Sequence, residues 1–234
     1  MNWLLNNQGN LNSTFLLGYF YCYGIGISKN YKKAFDLFIN ASKQNHILAL
    51  NYVGICYHYE YGISKDEKLA FEYYKKVANK DLAGGQLDIG CLYKIGMGVE
   101  KDLKKTIYWY EKAANQGNII AMYNLACIYN GSEIDKDIDK AIYWYGKSAE
   151  QGHQDAQYNL ALIYENKKDM DKAIYWYEKS AEQGNQNAQF NLAFIYDDGI
   201  DKEKAIHWYK KSAAQGNQDA RNRLKKLYRK FQIK

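Results

Sequence analysis

Histidine and cysteine are the residue types in this chain best suited to bind a metal or attack a substrate, and both are few and widely spaced. The histidines are His46, His58, His153 and His207, and the cysteines are Cys22, Cys56, Cys91 and Cys127. No histidine has a second histidine or a cysteine three or four residues away, the spacing that places two ligands on one helix face. The cysteines form no CxxC pair. We therefore expect no metal site and no cofactor.

The other residues that could perform chemistry also lack a catalytic pattern. No serine or cysteine has a recurring base beside it, and the carboxylates occur mainly in lysine-rich segments, as on the exposed face of a helix. The glycine runs GIGISKN and GMGVEKD resemble phosphate-binding loops only superficially, because they separate two helical segments instead of following a strand. We expect these glycines to supply turns. The sequence predicts no catalytic residue and a protein that is not an enzyme.

The composition favours a globular, helical protein. The 234 residues are 47% hydrophobic and include 24 tyrosines but no proline, the residue that interrupts helices. No apolar run approaches the length of a membrane-spanning helix, and the amino terminus lacks the pattern of a secretion signal. Together with the absence of a disulfide pattern, these features predict a cytoplasmic protein.

A repeat of 32 to 36 residues runs through the chain and indicates which elements position its side chains. The anchor residues of the repeat are Gly9, Asn45, Asp81, Gly117, Gly152, Gly184 and Gly216. A small residue follows each anchor by four positions, an aliphatic residue by eight and a tyrosine by twelve. These positions share one face of an amphipathic helix, which we call helix A. A second block, such as AIYWY, predicts helix B, which ends at a turn containing the next anchor.

A single helix hairpin cannot bury its own apolar face, so neighbouring hairpins must stack. We therefore predict an all-α fold, a right-handed α-solenoid of about six tandem antiparallel helix hairpins plus a C-terminal capping helix. The whole chain, 1–234, is predicted to form one domain. Its repeats are expected to start near residues 9, 45, 81, 117, 152 and 184, and its capping helix to cover 217–234.

The repeat resembles a known family. The pattern A-x-Y-N-L-A-x-I-Y at 156–164, followed by K-A-I-Y-W-Y-x-K-S-A-E-Q-G at 172–184, is similar to the Sel-one-like repeat (SLR), a branch of the tetratricopeptide-like solenoids. The resemblance extends from about Gln8 to Tyr228, with Asn45 and Asp81 in place of the turn glycine. It implies a non-enzymatic scaffold or adaptor for protein–protein interactions. An immunity protein that neutralises a cognate toxin is the alternative hypothesis.

The resemblance also implies where a partner binds, because tetratricopeptide-like solenoids present helix A on their concave side. Six and ten residues after each anchor, helix A carries mainly apolar and aromatic side chains that point away from its core face. The predicted partner-binding groove consists of Phe15, Tyr19, Leu87, Tyr123, Tyr158, Leu162, Phe190 and Phe194. Such a groove suits an amphipathic helix or an extended peptide. The alternative interpretation is that these rings pack between successive A helices.

Charged residues suggest the character of the partner. An acidic rim beside the groove is predicted from Asp155, Glu165, Asp197 and Asp219. Such a rim would favour a basic amphipathic segment of another protein, whereas the simpler interpretation is an ordinary solvated surface. The recurring Asn124, Asn159 and Asn191 are interpreted as structural, with a hydrogen bond to a partner as the alternative.

The C-terminal helix is strongly basic. Its predicted basic cap consists of Arg221, Arg223, Lys225, Lys226, Arg229 and Lys230. A cap of this kind can contact nucleic acid or an anionic surface, but no stacking platform accompanies it, and a solubilising cap is the simpler interpretation. We therefore expect a monomer that binds another protein and does not span a membrane, and keep association with nucleic acid through the basic C-terminal helix as a minor alternative.

Overall fold

The computed structural model describes residues 10–131 and 136–231, in which thirteen α-helices and one π-helical turn are found. The helices are α1 (Leu11–Tyr23), α2 (Tyr31–Lys43), α3 (Ile47–Tyr59), α4 (Glu67–Ala78), α5 (Ala83–Ile95), α6 (Leu103–Asn115), α7 (Ile119–Asn130), α8 (Ile138–Glu150), α9 (Gln154–Asn166), α10 (Met170–Glu182), α11 (Gln186–Ile195), α12 (Lys202–Ala214) and α13 (Gln218–Phe231). The π-helical turn, Tyr196–Ile200, follows α11.

The odd-numbered helices α1 to α11 are the A helices, the even-numbered helices are the B helices, and α13 is the capping helix. The predicted all-α arrangement of helix hairpins is therefore confirmed. Contacts divide the chain into an N-terminal unit and a C-terminal unit that meet in sequence at Ala121 and Met122. Within each unit, A and B helices pack as pairs, and the B helix of one pair contacts the A helix of the next. The single domain and the right-handed sense of the solenoid stay predictions.

Capping side chains define where the helices begin. The six B helices start after Asn30, Asp66, Asp102, Asp137, Asp169 and Asp201, and each of these side chains accepts a hydrogen bond from the backbone N–H three residues later. Two histidines perform the same task for A helices, since His46 Nδ1 accepts from Ala49 N and His153 Nδ1 accepts from Ala156 N. The spacing of these histidines in the sequence gave no indication of this capping role.

The turns between repeats use a left-handed residue in every case that the structure describes. The anchor glycines Gly117, Gly152, Gly184 and Gly216 have φ between 88° and 102°. Asn45 and Asp81, which replace glycine, adopt φ of 60° and 59°. Asparagine and aspartate tolerate this conformation better than most side chains. The substitutions therefore preserve the turn.

Each hairpin of the N-terminal unit is closed by an aromatic ring of helix B against a glycine of helix A. A Cβ atom added at Gly54 would lie 2.9 Å from the Tyr74 ring, and one added at Gly90 would lie 2.6 Å from the Tyr110 ring. The absence of a side chain at these glycines therefore lets the two helices approach closely. In the C-terminal unit, Tyr145, Tyr177 and Tyr209 are the corresponding fully buried rings.

Glutamine pairs join the end of helix B to helix A of the same repeat. Nε2 of the first residue donates to Oε1 of the second at 2.7 to 2.9 Å in the pairs Gln116–Gln86, Gln183–Gln157 and Gln215–Gln189. In the fifth and sixth repeats, the second glutamine also donates to the last turn of the preceding helix B. Gln189 Nε2, for example, is 3.0 Å from the Ala181 carbonyl oxygen. These pairs explain the glutamine in the ANQG, AEQG and AAQG endings at 114–117, 181–184 and 213–216. Gln151 Nε2, in the AEQG ending at 149–152, instead lies 3.5 Å from both Met122 Sδ and the Lys147 carbonyl oxygen.

Gln189→Ala should destabilise the protein by about 1 kcal/mol, because it removes the hydrogen bonds from Gln189 to the Ala181 carbonyl and from Gln215 to Gln189. The Ala181 carbonyl keeps its bond from Gly184 N, and Gln215 keeps its bond to the Gly184 carbonyl. The free energy of unfolding can be measured by urea denaturation. Asn187→Ala, on the exposed side of the same helix, is the matched control and should change stability by less than about 0.5 kcal/mol. Equal effects of the two substitutions would contradict a structural role for the glutamine pair.

Gly184→Ala and Gly84→Ala should change stability in opposite directions. Gly184 has φ of 98°, so an alanine there should cost about 1–2 kcal/mol through backbone strain, although no atom would contact its Cβ within 4 Å. Gly84 lies in the first turn of α5 and is equally open, so alanine should stabilise the protein by up to about 1 kcal/mol. Thermal unfolding of both variants tests this assignment, and a loss of stability in both would contradict it.

Candidate functional site

Three predicted groove residues of the C-terminal unit rest on the buried tyrosines of their own hairpins. The distances between ring centroids are 5.9 Å for Tyr123–Tyr145, 6.0 Å for Tyr158–Tyr177 and 5.7 Å for Phe190–Tyr209. Tyr123, Tyr158 and Phe190 are all half-buried. Each ring therefore packs on the core and keeps part of its surface accessible, although the Tyr123 ring also stacks on that of His153 at 4.6 Å.

The two other predicted groove residues of this unit differ in exposure. Phe194 is 45% exposed, and the Arg223 guanidinium carbon lies 4.7 Å from its ring centroid. Leu162 is half-buried and lines a cavity of about 450 Å³, together with residues that include Asn159 and Asn130. The A helices of the C-terminal unit thus carry partly exposed apolar side chains at each predicted position.

In the N-terminal unit, the predicted groove positions are less uniform. Phe15 is only 7% exposed, and its ring lies 5.0 Å from that of His46 and 5.7 Å from that of Phe38. Phe15 is therefore a core residue, as the alternative interpretation held. Tyr19 and Leu87 are half-buried, and Tyr19 meets Tyr52 edge to face at 5.8 Å.

Two residues of the predicted acidic rim bind tyrosine hydroxyls within the protein. Tyr177 Oη donates to Glu165 Oε2 at 2.5 Å, and Tyr209 Oη donates to Asp197 Oδ2 at 3.4 Å. Burial raises the pKa of Tyr177, and the Glu165 hydrogen bond raises it further by stabilising the protonated phenol. The other two rim residues, Asp155 and Asp219, are exposed.

The recurring asparagines also bind tyrosine hydroxyls. Asn159 Nδ2 donates to Tyr145 Oη at 3.3 Å, and Asn191 Nδ2 donates to Tyr177 Oη at 3.1 Å. Each bond links helix A to helix B of the preceding repeat. The structural interpretation of these two asparagines is confirmed, although their partner is a side chain and not the backbone.

The basic cap is partly engaged with the rest of the C-terminal unit. Arg221 Nε donates to the Ala213 carbonyl oxygen at 3.3 Å, and Arg223 lies 3.9 Å from the Asp197 carboxylate. Lys225, Lys226 and Arg229 are exposed, whereas the side chain of Lys230 lies outside the described residues. Leu224 and Leu227 anchor the other side of α13 in the core.

A groove that the sequence analysis did not identify lies between α3 and α5 of the N-terminal unit. It consists of two adjoining depressions of about 340 and 280 Å³, and Asn51 and Asp88 line both. We call it the α3–α5 groove. Asp88 occupies the position in helix A that Asn159 and Asn191 occupy in later repeats. A carboxylate at a position that carries asparagine in the fourth, fifth and sixth repeats was the sequence signal that could have revealed the groove.

In residues 10–131 and 136–231, no three histidine, cysteine, aspartate or glutamate side chains lie close enough together to hold a metal ion. No helix in the same ranges has the length and apolar character needed to cross a membrane.

Comparison with family models identifies the family to which these hairpins belong. A model described as the Sel1 repeat matches six consecutive segments, 12–46, 47–82, 83–118, 119–153, 154–185 and 186–217. The chain belongs to the Sel1 repeat family. Sel1 repeats are generally non-catalytic binding scaffolds of the tetratricopeptide-like type.

Solved structures of Sel1 repeat proteins have the same fold. A Sel1 repeat protein from Oxalobacter formigenes is 33% identical, with a TM-score of 0.70 over 88% of this chain and 86% of that one. The protective antigen c5321 of uropathogenic Escherichia coli is 29% identical, with a TM-score of 0.56 over 99% of this chain. The match spans only 60% of the length of c5321.

An immunity protein, Pa5087 from Pseudomonas aeruginosa, also matches, but less closely. It is 20% identical, with a TM-score of 0.47 over 94% of this chain and 81% of that one. A similarity at this level is too low to indicate function. A search of curated proteins found no significant match.

In this Sel1 repeat protein, Asp88→Asn should raise the melting temperature slightly at neutral pH. The surrounding protein atoms desolvate the Asp88 carboxyl and raise its pKa, so the ionised carboxylate opposes folding above that raised pKa. The gain should vanish in acid, below the ordinary pKa of aspartate, where folded and unfolded states are both protonated. Thermal unfolding across pH measures this difference.

The control for the loss of a surface charge is Asp36→Asn in α2, whose carboxylate lies 3.3 Å from Lys32 Nζ. This substitution should give no gain, because it removes an exposed ion pair. A loss of stability in Asp88→Asn at neutral pH would mean that the carboxylate makes a stabilising contact within the fold.

Proposed function

We propose that this protein is a non-enzymatic scaffold that binds a segment of another protein along its A helices. The observation that carries the proposal is the regular placement of Tyr158 and Phe190, at equivalent positions of α9 and α11. Each ring rests on a buried tyrosine and keeps part of its surface accessible. Aromatic rings held in this way can anchor a partner at little cost in side-chain entropy.

The distribution of polar groups supports binding over catalysis. The carboxylates of Glu165 and Asp197 accept hydrogen bonds from tyrosine hydroxyls, and the amides of Asn159 and Asn191 donate to such hydroxyls. These groups therefore hold the helices together instead of assembling around a reacting atom. Part of the apolar surface of Tyr158, Leu162, Phe190 and Phe194 remains accessible on α9 and α11, as on a surface that recognises a peptide or a helix.

An immunity role is a special case of this proposal in which the partner is a toxin. The same surface would then cover part of the toxin, and the toxin would be the protein recovered in the experiment below. Binding of nucleic acid through the basic cap is less well supported, because Arg221 and Arg223 are used within the protein.

The proposal predicts that a Tyr158→Ala/Phe190→Ala variant loses a partner that the wild-type protein retains. The full chain is immobilised, incubated with an extract of its native cells at moderate salt, and the captured proteins are identified. The substitutions remove two aromatic anchors, so the partner should be absent or strongly depleted. Circular dichroism and thermal unfolding establish that the variant remains folded.

The matched control is Tyr143→Ala/Tyr175→Ala, which removes two rings from the B helices α8 and α10 of the same unit. These tyrosines are 55% and 50% exposed. The control variant should retain the partner. A partner that is retained by the folded Tyr158→Ala/Phe190→Ala variant and lost by the control would place the binding surface on the B helices and overturn the proposal. If the first variant unfolds, the exposed Phe194 is replaced by alanine instead and must weaken capture.

A further inference from the structure

The α3–α5 groove has a polar centre and apolar ends. Asn51 and Asp88 line both depressions and mark the centre of the groove. Around one end lie Leu48, Val77 and Leu82, and around the other lie Ile55, Tyr59, Leu92 and Met97. Leu48, Leu82 and Tyr59 are exposed, although each is a large apolar side chain.

The polar side chains at the centre of the groove have few partners within the described part of the chain. Among residues 10–131 and 136–231, the side chains of Asn51 and Asp88 have no hydrogen-bond or ion-pair partner. His58, which lines the same groove, has a buried Nδ1 atom that no described group contacts by a hydrogen bond. The Asp88 side chain is exposed and Asn51 is half-buried, so both polar groups are accessible to a ligand. Of the three side chains, only His58 has an atom, Nδ1, that is buried without a partner in the described ranges, which is unusual for a polar atom in a folded protein.

The charge of this carboxylate stands almost alone on its side of the unit. The A helices α1, α3 and α5 together contain one carboxylate, Asp88, and one lysine, Lys94, whereas the B helices α2, α4 and α6 contain nine lysines. The Asp88 side chain is exposed, but neighbouring protein atoms partly desolvate its carboxyl and raise its pKa. A cation bound in the groove would offset this partial desolvation and would find no competing carboxylate on the same three helices.

The later repeats argue against a purely structural role for Asp88. At the same position, Asn159 and Asn191 donate their amide hydrogens to the tyrosine hydroxyl of the preceding repeat. An ionised aspartate has no hydrogen to donate and makes no such bond here. Asparagine would therefore serve the fold at least as well, so helix packing does not account for the carboxylate.

We propose that the α3–α5 groove binds a partner segment in which a lysine or arginine lies between apolar side chains, with the cation paired to Asp88. The apolar side chains of the segment occupy the two ends of the groove, and Asn51 accepts or donates a further hydrogen bond at its centre. This inference rests on the proposed scaffold function and specifies the chemistry of one partner segment. The position of the charge gives the pairing its specificity.

A random library of displayed 12-residue peptides, selected on the full-length protein, tests the inference. Enriched peptides should carry one lysine or arginine flanked by apolar residues. Affinities are then measured by fluorescence polarisation for a selected peptide and for a version with its base replaced by methionine. For the basic peptide, Asp88→Asn should weaken binding by about tenfold or more, because a charge-assisted hydrogen bond is lost. For the methionine peptide, wild type and variant should bind equally.

A second variant blocks the groove without touching its charge. A Cβ atom at Gly84 would have no neighbour within 4 Å, and Gly84 lines one depression, so Gly84→Leu should fill it and weaken the same peptide. A selection that enriches no sequence, or only sequences without a base, overturns the inference. So does equal binding of the basic peptide to Asp88→Asn and wild type. Because the scaffold proposal is tested separately with rings of the C-terminal unit, it can survive either result.

Discussion

The packing of one helix-B ring into each hairpin is the interaction on which the rest of this structure depends. In the N-terminal unit, Tyr74 and Tyr110 fit against Gly54 and Gly90, where a Cβ atom would collide with the rings. Tyrosine brings a large apolar area into the hairpin, but it also brings a hydroxyl that must be paired once it is buried. The apolar ring therefore requires small residues beside it, and the hydroxyl requires a hydrogen-bond partner.

The need to pair these hydroxyls explains much of the polar chemistry along the A helices. Glu165 and Asp197 accept from tyrosines of their own hairpins, while Asn159 and Asn191 donate to tyrosines of the preceding hairpins. Polar groups that could have been expected to contact a partner therefore form hydrogen bonds within the protein instead. Asp88 stands out because it occupies such a position without making such a bond.

The hairpins and their boundaries could be predicted from sequence because the repeat fixes the register of every helix. Even the replacement of glycine by Asn45 and Asp81 preserved the left-handed turn that the other repeats use. Helical periodicity identifies the face of a helix on which a residue lies, but not which neighbouring side chain covers it. For this reason Phe15, placed in the groove by its register, is buried against Phe38 and His46.

The candidate site was less predictable, because it depends on contacts between helices that are distant in sequence. The acceptor role of Glu165 and the space between α3 and α5 both arise from stacking. A single sequence shows only that Asp88 differs from Asn159 and Asn191 at one position. Whether such a difference leaves a charge unpaired depends on the three-dimensional surroundings, which the helical wheel does not contain.

The glutamine pairs bear on how an array of this kind can change its length. In the fifth and sixth repeats, both glutamines belong to one repeat, and the neighbouring repeat contributes only a backbone carbonyl, such as that of Ala181. Every residue has such a carbonyl, so the bond makes no demand on the side chains of the neighbour. This hydrogen bond therefore places no restriction on the duplication or deletion of a gene segment that encodes one repeat.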